Sequence, residues 1–235
     1  MNITKSAMLP LRSCRGNIQQ RNQKAEKILK KFIKKIEPEL NSAGKMPLWK
    51  IKEFLLQALP SKRINFDIVN ANGQDSQMVI YTNENDQIDY FDIMVEADKN
   101  GDFYADEKNS LYHETWHFLE NITSPKQLAR YASISDEMFN KFCKFYHSTL
   151  YSEVHHTTQY LEKKLKKFLS QFDANNRINL LQFTRQLIKG EMNAFSIAEK
   201  YAPASYLETE NYEFPRKLDI VNKALLSEIC AERKK

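Results

Sequence analysis

The spacing of apolar residues changes period twice along the chain, and each change marks a new kind of element. From Ala25 onward, Ile28, Leu29, Phe32, Ile33 and Ile36 recur three and four residues apart. That spacing predicts an amphipathic helix with its lysines turned to water, ending at about residue 37 because Pro38 follows. Leu48, Ile51, Phe54 and Leu55 predict a second helix over 46–58, with Pro47 in its first turn and Pro60 just beyond its end. The period then drops to two. Ile64, Phe66 and Ile68 alternate as one strand, 70–76 reads as a turn, and 77–82 with 87–96 read as two more strands around the turn at 83–86. The simple outcome is a three-stranded antiparallel sheet. Beyond the turn-rich stretch 98–106 the helical period returns and stays, predicting helices near 107–122, 125–133, 135–151, 153–170, 177–202 and 216–232.

Strands followed by helices give an α+β chain, and 235 residues suffice for one large domain. The expected organisation is a single domain over 1–235: a basic arm (1–24), helices and sheet with the helix at 107–122 (25–122), and a helical half (123–235). A hydrophobic share of 42% with 11% aromatic residues excludes disorder, and five Gly with seven Pro exclude collagen-like or turn-dense all-β designs. No apolar run approaches the roughly 18 residues of a membrane span. Cys14, Cys143 and Cys230 are odd in number and far apart, so no disulfide framework or CxxC knuckle is expected and a reducing compartment fits.

The net charge of +5 is uneven. Residues 1–35 carry ten Lys or Arg against one acid, Glu26, a balance of +9, so the rest of the chain sums to −4. Such an arm can bind polyanions, but the helical period makes its lysines a solvated helix face, and no nucleic-acid partner is expected. The first twenty residues lack the apolar core of a secretory signal. The expected location is the cytoplasm, or export by a route that reads no such signal.

Candidate chemistry concentrates in His113-Glu114-Thr115-Trp116-His117, an HExxH sequence. With only five histidines in the chain, composition alone yields this pattern on the order of 1% of the time. An advance of about 100° per residue puts His113 and His117 on one helix face beside Ser110 and Glu120, with Leu111, Tyr112, Phe118, Leu119 and Ile122 around the back. Two imidazoles so placed can bind one Zn²⁺, with Glu114 as the base.

A catalytic zinc needs a third protein ligand. Glu120 and Thr123 stand where an HExxHxxGxxH extension requires Gly and His, which removes that pattern. Glu137 points away from the stripe of Phe139, Phe142, Cys143, Tyr146 and Leu150 and reads as a surface pair with Lys141. His155 and His156 fall off their own helix's stripe. Glu191 shares a face with Leu180, Thr184, Leu187, Ala194, Phe195, Ala198 and Ala202, and no Lys or Arg joins that stripe. A carboxylate embedded among apolar groups costs several kcal/mol unless it is protonated or bound to a metal. Glu191 is therefore the expected third ligand.

HExxH at 113–117 followed by Glu191-Met192-Asn193-Ala194 resembles the HExxH plus ExxA arrangement of gluzincin metallopeptidases. The strands just before the motif also resemble the zincin plan, in which an edge strand, here 87–96, lines the cleft and pairs with extended substrate. Phe195 departs from the pattern, standing where an acidic residue often follows the alanine, so the groups that orient His113 and His117 stay unidentified. The expected activity is zinc-dependent hydrolysis of peptide bonds in a protein or peptide substrate, within the protein's own cell or, as for a bacterial effector, in a host. Tyr201, Tyr206 and His147 are the candidate oxyanion donors. The alternative is a non-catalytic, zinc-stabilised zincin-like module that binds a partner through its basic N-terminal helix. Two look-alikes fail. Asp98-Lys99-Asn100-Gly101-Asp102 begins like an EF-hand loop, but Phe103 and Asn109 replace the required Gly and Glu. The stretch 173–176 is better read as the cap of the Glu191 helix. Substrate and oligomeric state are not legible.

Overall fold

The apolar stripe that opens at Ala25 does not stop at Pro38. In the computed structural model, which describes residues 15–61, 64–83, 88–123, 135–151, 156–203 and 210–233, one helix, α1, runs over Arg15–Ala43 with Pro38 inside it. Part of the expected arm is thus helical, and the expected end at residue 37 falls short. Pro38 removes one backbone donor, but the fully buried Leu40 extends the stripe by another turn and offsets that loss with about 2 kcal/mol of apolar burial. Gly44, at φ 73°, closes the helix by donating its N–H to the Leu40 carbonyl at 2.8 Å. Lys24, Lys30, Lys31, Lys34 and Lys35 are exposed, as the periodicity requires.

Lys45–Pro47 (β1) pairs antiparallel with Asp102–Tyr104 (β5), burying the partners Met46 and Phe103. Neither three-residue strand is expected from the sequence, and α2 consequently starts after them, at Leu48–Ala58. The main sheet is formed by Phe66–Asn70 (β2), Gln77–Thr82 (β3) and Ile88–Val95 (β4) in the order β2-β4-β3. Here two expectations are corrected. β4 runs antiparallel to β3 but parallel to β2, with Phe66 opposite Phe91 and Ile68 opposite Ile93, so the sheet is mixed. And β4, the strand expected at the edge, lies in the middle, with both its ladders occupied.

After a 3-10 turn at Ala105–Glu107, α3 spans Lys108–Thr123 and lies against β3, β4 and α1. Its Phe118 ring is 4.9 Å from Phe66 and 5.2 Å from Phe91, while Tyr112 meets Phe32 of α1 edge-on at 6.4 Å. The expected helix at 125–133 lies outside the described residues.

The chain groups into two compact units, Met1–Pro125 with Ser196–Ala204 and Lys126–Phe195 with Ser205–Lys235. The second unit is helical throughout its described residues. It contains α4 (Asp136–Phe145), continued by a π-helical turn at Tyr146–Leu150, then α5 (Thr158–Leu169), most of α6 (Ala174–Tyr201) and α7 (Glu210–Glu232). Ser135 and Thr157 cap α4 and α5 by accepting from the N–H groups of Met138 and Tyr160, and Asp173 does the same for α6 through Asn176 at 2.9 Å. α7 starts earlier than expected and runs through Pro215, with Phe214 buried beside it. Rings dominate the core: Phe145 stacks on Phe168 at 4.3 Å, and Phe142 meets Phe183 at 5.1 Å. The whole is a mixed α/β protein of seven α-helices and two small sheets among the described residues.

Candidate metal centre

α3 is buried on almost every side. Leu111, Tyr112, Phe118 and Leu119 are fully covered and Trp116 nearly so, which matches the expected back of the helix. The histidine face is more enclosed than helical phase alone implies. His113 and Glu114 are only 6% and 7% exposed, Glu120 is buried too, and His117 and Ser110 are half-buried. A helix covered this completely cannot rotate without unpacking its rings, so the direction of its imidazoles is set by the core beneath.

The Nε2 atoms of His113 and His117 are 3.1 Å apart, with the rings steeply inclined at 71°. Two nitrogens each about 2.0–2.1 Å from a tetrahedral zinc stand roughly 3.3–3.4 Å apart, so this separation suits a shared ion. Without an ion the same distance is a hydrogen bond between a protonated and an unprotonated ring nitrogen. Glu114 Oε1 lies 3.8 Å from His113 Nε2, next to the imidazole pair.

Glu191 lies on α6. Leu180, Ala194 and Ala198 of its stripe are fully buried and Thr184 is 2% exposed, but Glu191 itself and Leu187 are half-buried. The expectation of a carboxylate sunk in apolar surroundings is corrected accordingly, because partial exposure lowers the desolvation cost that singled it out. Geometry nominates it instead. His113, His117 and Glu191 each offer one ligand atom, and these atoms lie within 4.8 Å of one another, the sole such grouping of three His, Cys, Asp or Glu side chains among the described residues. Two neutral nitrogens and one carboxylate are a donor set that zinc accepts.

The other nominees go elsewhere. Tyr201 donates its hydroxyl to Glu26 Oε1 at 2.7 Å, so it is engaged in an ion-pair cluster rather than free to serve an oxyanion. His147 is exposed in the π-helical turn, its ring against Tyr146 and Tyr151. Tyr206 and His155 lie outside the described residues, and His156 stacks on Tyr160 at 4.4 Å. Glu137 pairs with Lys141 at 2.6 Å on the surface, as expected. The Asp98 carboxylate accepts from the N–H groups of Asn100 and Asp102 at 2.8 and 3.0 Å and from the Tyr104 hydroxyl at 3.2 Å, which makes it the organiser of a turn.

Two contacts escaped the sequence reading. Asn109, one turn before His113, donates to the Ala202 carbonyl at the end of α6 at 2.7 Å. Glu26 Oε1 also accepts from Lys200 at 2.7 Å and lies 3.3 Å from Lys30. Hydrogen bonds from Lys200 and Tyr201 hold the Glu26 carboxyl down at about 2, and burial together with Glu26 raises the Tyr201 phenol. A signal for Glu26 was present: it is the lone acid among the ten basic residues of 1–35.

Comparison of the chain with protein-family models, with curated proteins and with solved structures finds no match in any of the three.

Proposed function

We propose that this protein is a zinc-dependent endopeptidase of zincin-like plan, with His113, His117 and Glu191 as metal ligands and Glu114 as the general base. The observation that carries this reading is the 3.1 Å approach of two Nε2 atoms one helical turn apart, with Glu191 within 4.8 Å and a buried glutamate between them in sequence. A bound Zn²⁺ supplies Lewis-acid polarisation of a carbonyl and makes water acidic enough to be deprotonated near neutral pH. The chain supplies the rest. Glu114 accepts a proton at its carboxylate from the attacking water and passes it to the departing amine, a role suited to a group shielded from bulk solvent yet close to His113. The core beneath α3 holds both imidazoles in register. Extended substrate has no ladder to join on β4, so strand pairing falls to an outer strand, and β3, which lies against α3, is the better placed of the two.

The second reading, a zinc-stabilised binding module, is favoured by one feature, the exposed Lys24, Lys30, Lys31, Lys34 and Lys35 of α1. Glu114 separates the two, because it is not a ligand. Wild type and Glu114→Gln should each carry about one zinc per chain, and only wild type should generate new peptide termini when cell lysates are compared by terminal proteomics. General base removal of this kind costs about 10²–10⁴-fold in rate. Equal sets of termini from the two proteins would reject the peptidase and leave the binding module.

A further inference from the structure

The helical period of α1 accounts for which residues reach water, but not for their sign. Lys24, Lys27, Lys30, Lys31, Lys34 and Lys35 are all exposed. At about 100° and 1.5 Å per residue they occupy an arc of about 140° along roughly 16 Å of one helix. Within that arc Lys27 and Lys31, Lys30 and Lys34, and Lys31 and Lys35 are spaced i,i+4, where like charges repel about as strongly as opposite ones attract. Solvation alone favours interspersed signs. α4 and α7 follow that rule, pairing Glu137 with Lys141 at 2.6 Å and Asp219 with Lys223 at 2.7 Å. On α1 one acid reaches the lysine face, Glu26, whose Oε1 is 3.3 Å from Lys30. The next two acids along the helix are engaged elsewhere, Glu37 with the Tyr112 hydroxyl and Glu39 with Lys50. Lys24, Lys27, Lys31 and Lys34 have no acidic partner among the described residues.

We infer that this lysine face of α1 is an electrostatic docking surface for an anionic lipid membrane, with the helix lying along the plane of the headgroups. The repulsion stored in the row is relieved when a sheet of negative charge is brought against it, and each lysine near such a surface strengthens binding about fivefold. The opposite side of α1 is spent. Leu29, Phe32, Ile36 and Leu40 are fully buried, so no apolar stripe is free to enter the bilayer and attachment is by charge alone. Between Lys27, Lys30, Lys31 and Lys34 lies an open hollow of about 420 Å³, which suits hydrated headgroups that exchange freely better than one enclosed ligand. Nucleic acid fits the face less well. From residue 22 to the end of α1 the exposed side chains include neither an Arg for bidentate phosphate or base contacts nor an aromatic ring for base stacking. Lysine, a compact and strongly hydrated point charge, is the cation suited to a diffuse layer of headgroups. The surface belongs to one helix and is independent of the metal centre.

The test is co-sedimentation of the full-length protein with vesicles of phosphatidylcholine alone and of phosphatidylcholine mixed with phosphatidylserine. At low salt wild type should bind the second kind and not the first, and it should be released near 1 M salt, where the screening length falls to about 3 Å. A triple variant, Lys27→Gln with Lys31→Gln and Lys34→Gln, should bind about a hundredfold more weakly, because three gains of about fivefold are lost. Exchanging one good helix former for another at exposed positions should leave its melting point at or above that of wild type. The charge-matched control, Lys163→Gln with Lys164→Gln and Lys167→Gln, changes three exposed lysines of α5 and should bind as wild type does. Three results would overturn the assignment: no binding to phosphatidylserine vesicles at low salt, equal weakening in the two triple variants, which would make binding a matter of net charge, or binding that persists near 1 M salt. A random duplex DNA or single-stranded RNA that binds more tightly than the vesicles at the same salt would overturn it as well and give the face to nucleic acid.

Discussion

The two helices that supply donors to the candidate centre, α3 and α6, are built in opposite ways. α3 is short and covered nearly all round, so its histidines are side products of a core that would exist without any metal. α6 is long, and it offers Glu191 from a half-buried position. The imidazole pair is thus held in place by packing, whereas the carboxylate stands on a partly open surface. The contrast predicts that metal binding and fold stability are coupled on α3 and separable on α6.

The largest expected effect is on the metal. His113→Ala and His117→Ala should each reduce bound zinc from about one per chain to none, because a single imidazole and a carboxylate make a poor site; full retention by both variants, measured by elemental analysis, would dismiss the centre. Next comes Phe118→Ala, which removes a ring wedged between Phe66 and Phe91 and should cost about 3–5 kcal/mol in chelator, read by denaturant unfolding. A cost below about 1 kcal/mol would mean that α3 is not held by this core. The smallest effects sharpen the separation. Glu191→Ala should melt like wild type in chelator but lose about 1.4 kcal/mol or more of the stabilisation that excess zinc provides, the equivalent of tenfold weaker binding. Glu137→Ala should change neither melt by more than about 0.5 kcal/mol. Zinc stabilisation that survives in Glu191→Ala and vanishes in Glu137→Ala would move the third ligand to α4.

Much of this contrast was legible in the sequence. The three-and-four spacing of Leu111, Phe118 and Leu119 located α3, and the phase of Leu180, Ala194 and Ala198 located the Glu191 face of α6. What stayed hidden has physical reasons. Alternation of Phe66, Ile68, Phe91 and Ile93 states which face is buried but is the same for parallel and antiparallel neighbours, so neither the direction of β2 nor the central place of β4 could be read from it. β1 and β5 are too short to show a period. Pro38 reads as a stop because the cost of proline is local, whereas the compensating burial of Leu40 depends on tertiary neighbours. Glu26 and Tyr201 lie too far apart in the chain for any local pattern to join them.

That separation has a consequence during synthesis. The first unit is discontinuous, built from residues up to Pro125 and completed by Ser196–Ala204. A ribosome adding about 5–20 residues per second takes roughly 4–14 seconds to make the intervening Lys126–Phe195 stretch. Throughout that interval α1 and α3 exist without the segment that bonds to Glu26 and Asn109. The nascent chain can therefore bury the aromatic core of α3 and bring its two histidines together well before a carboxylate arrives, so the candidate centre is assembled in order, nitrogen donors first.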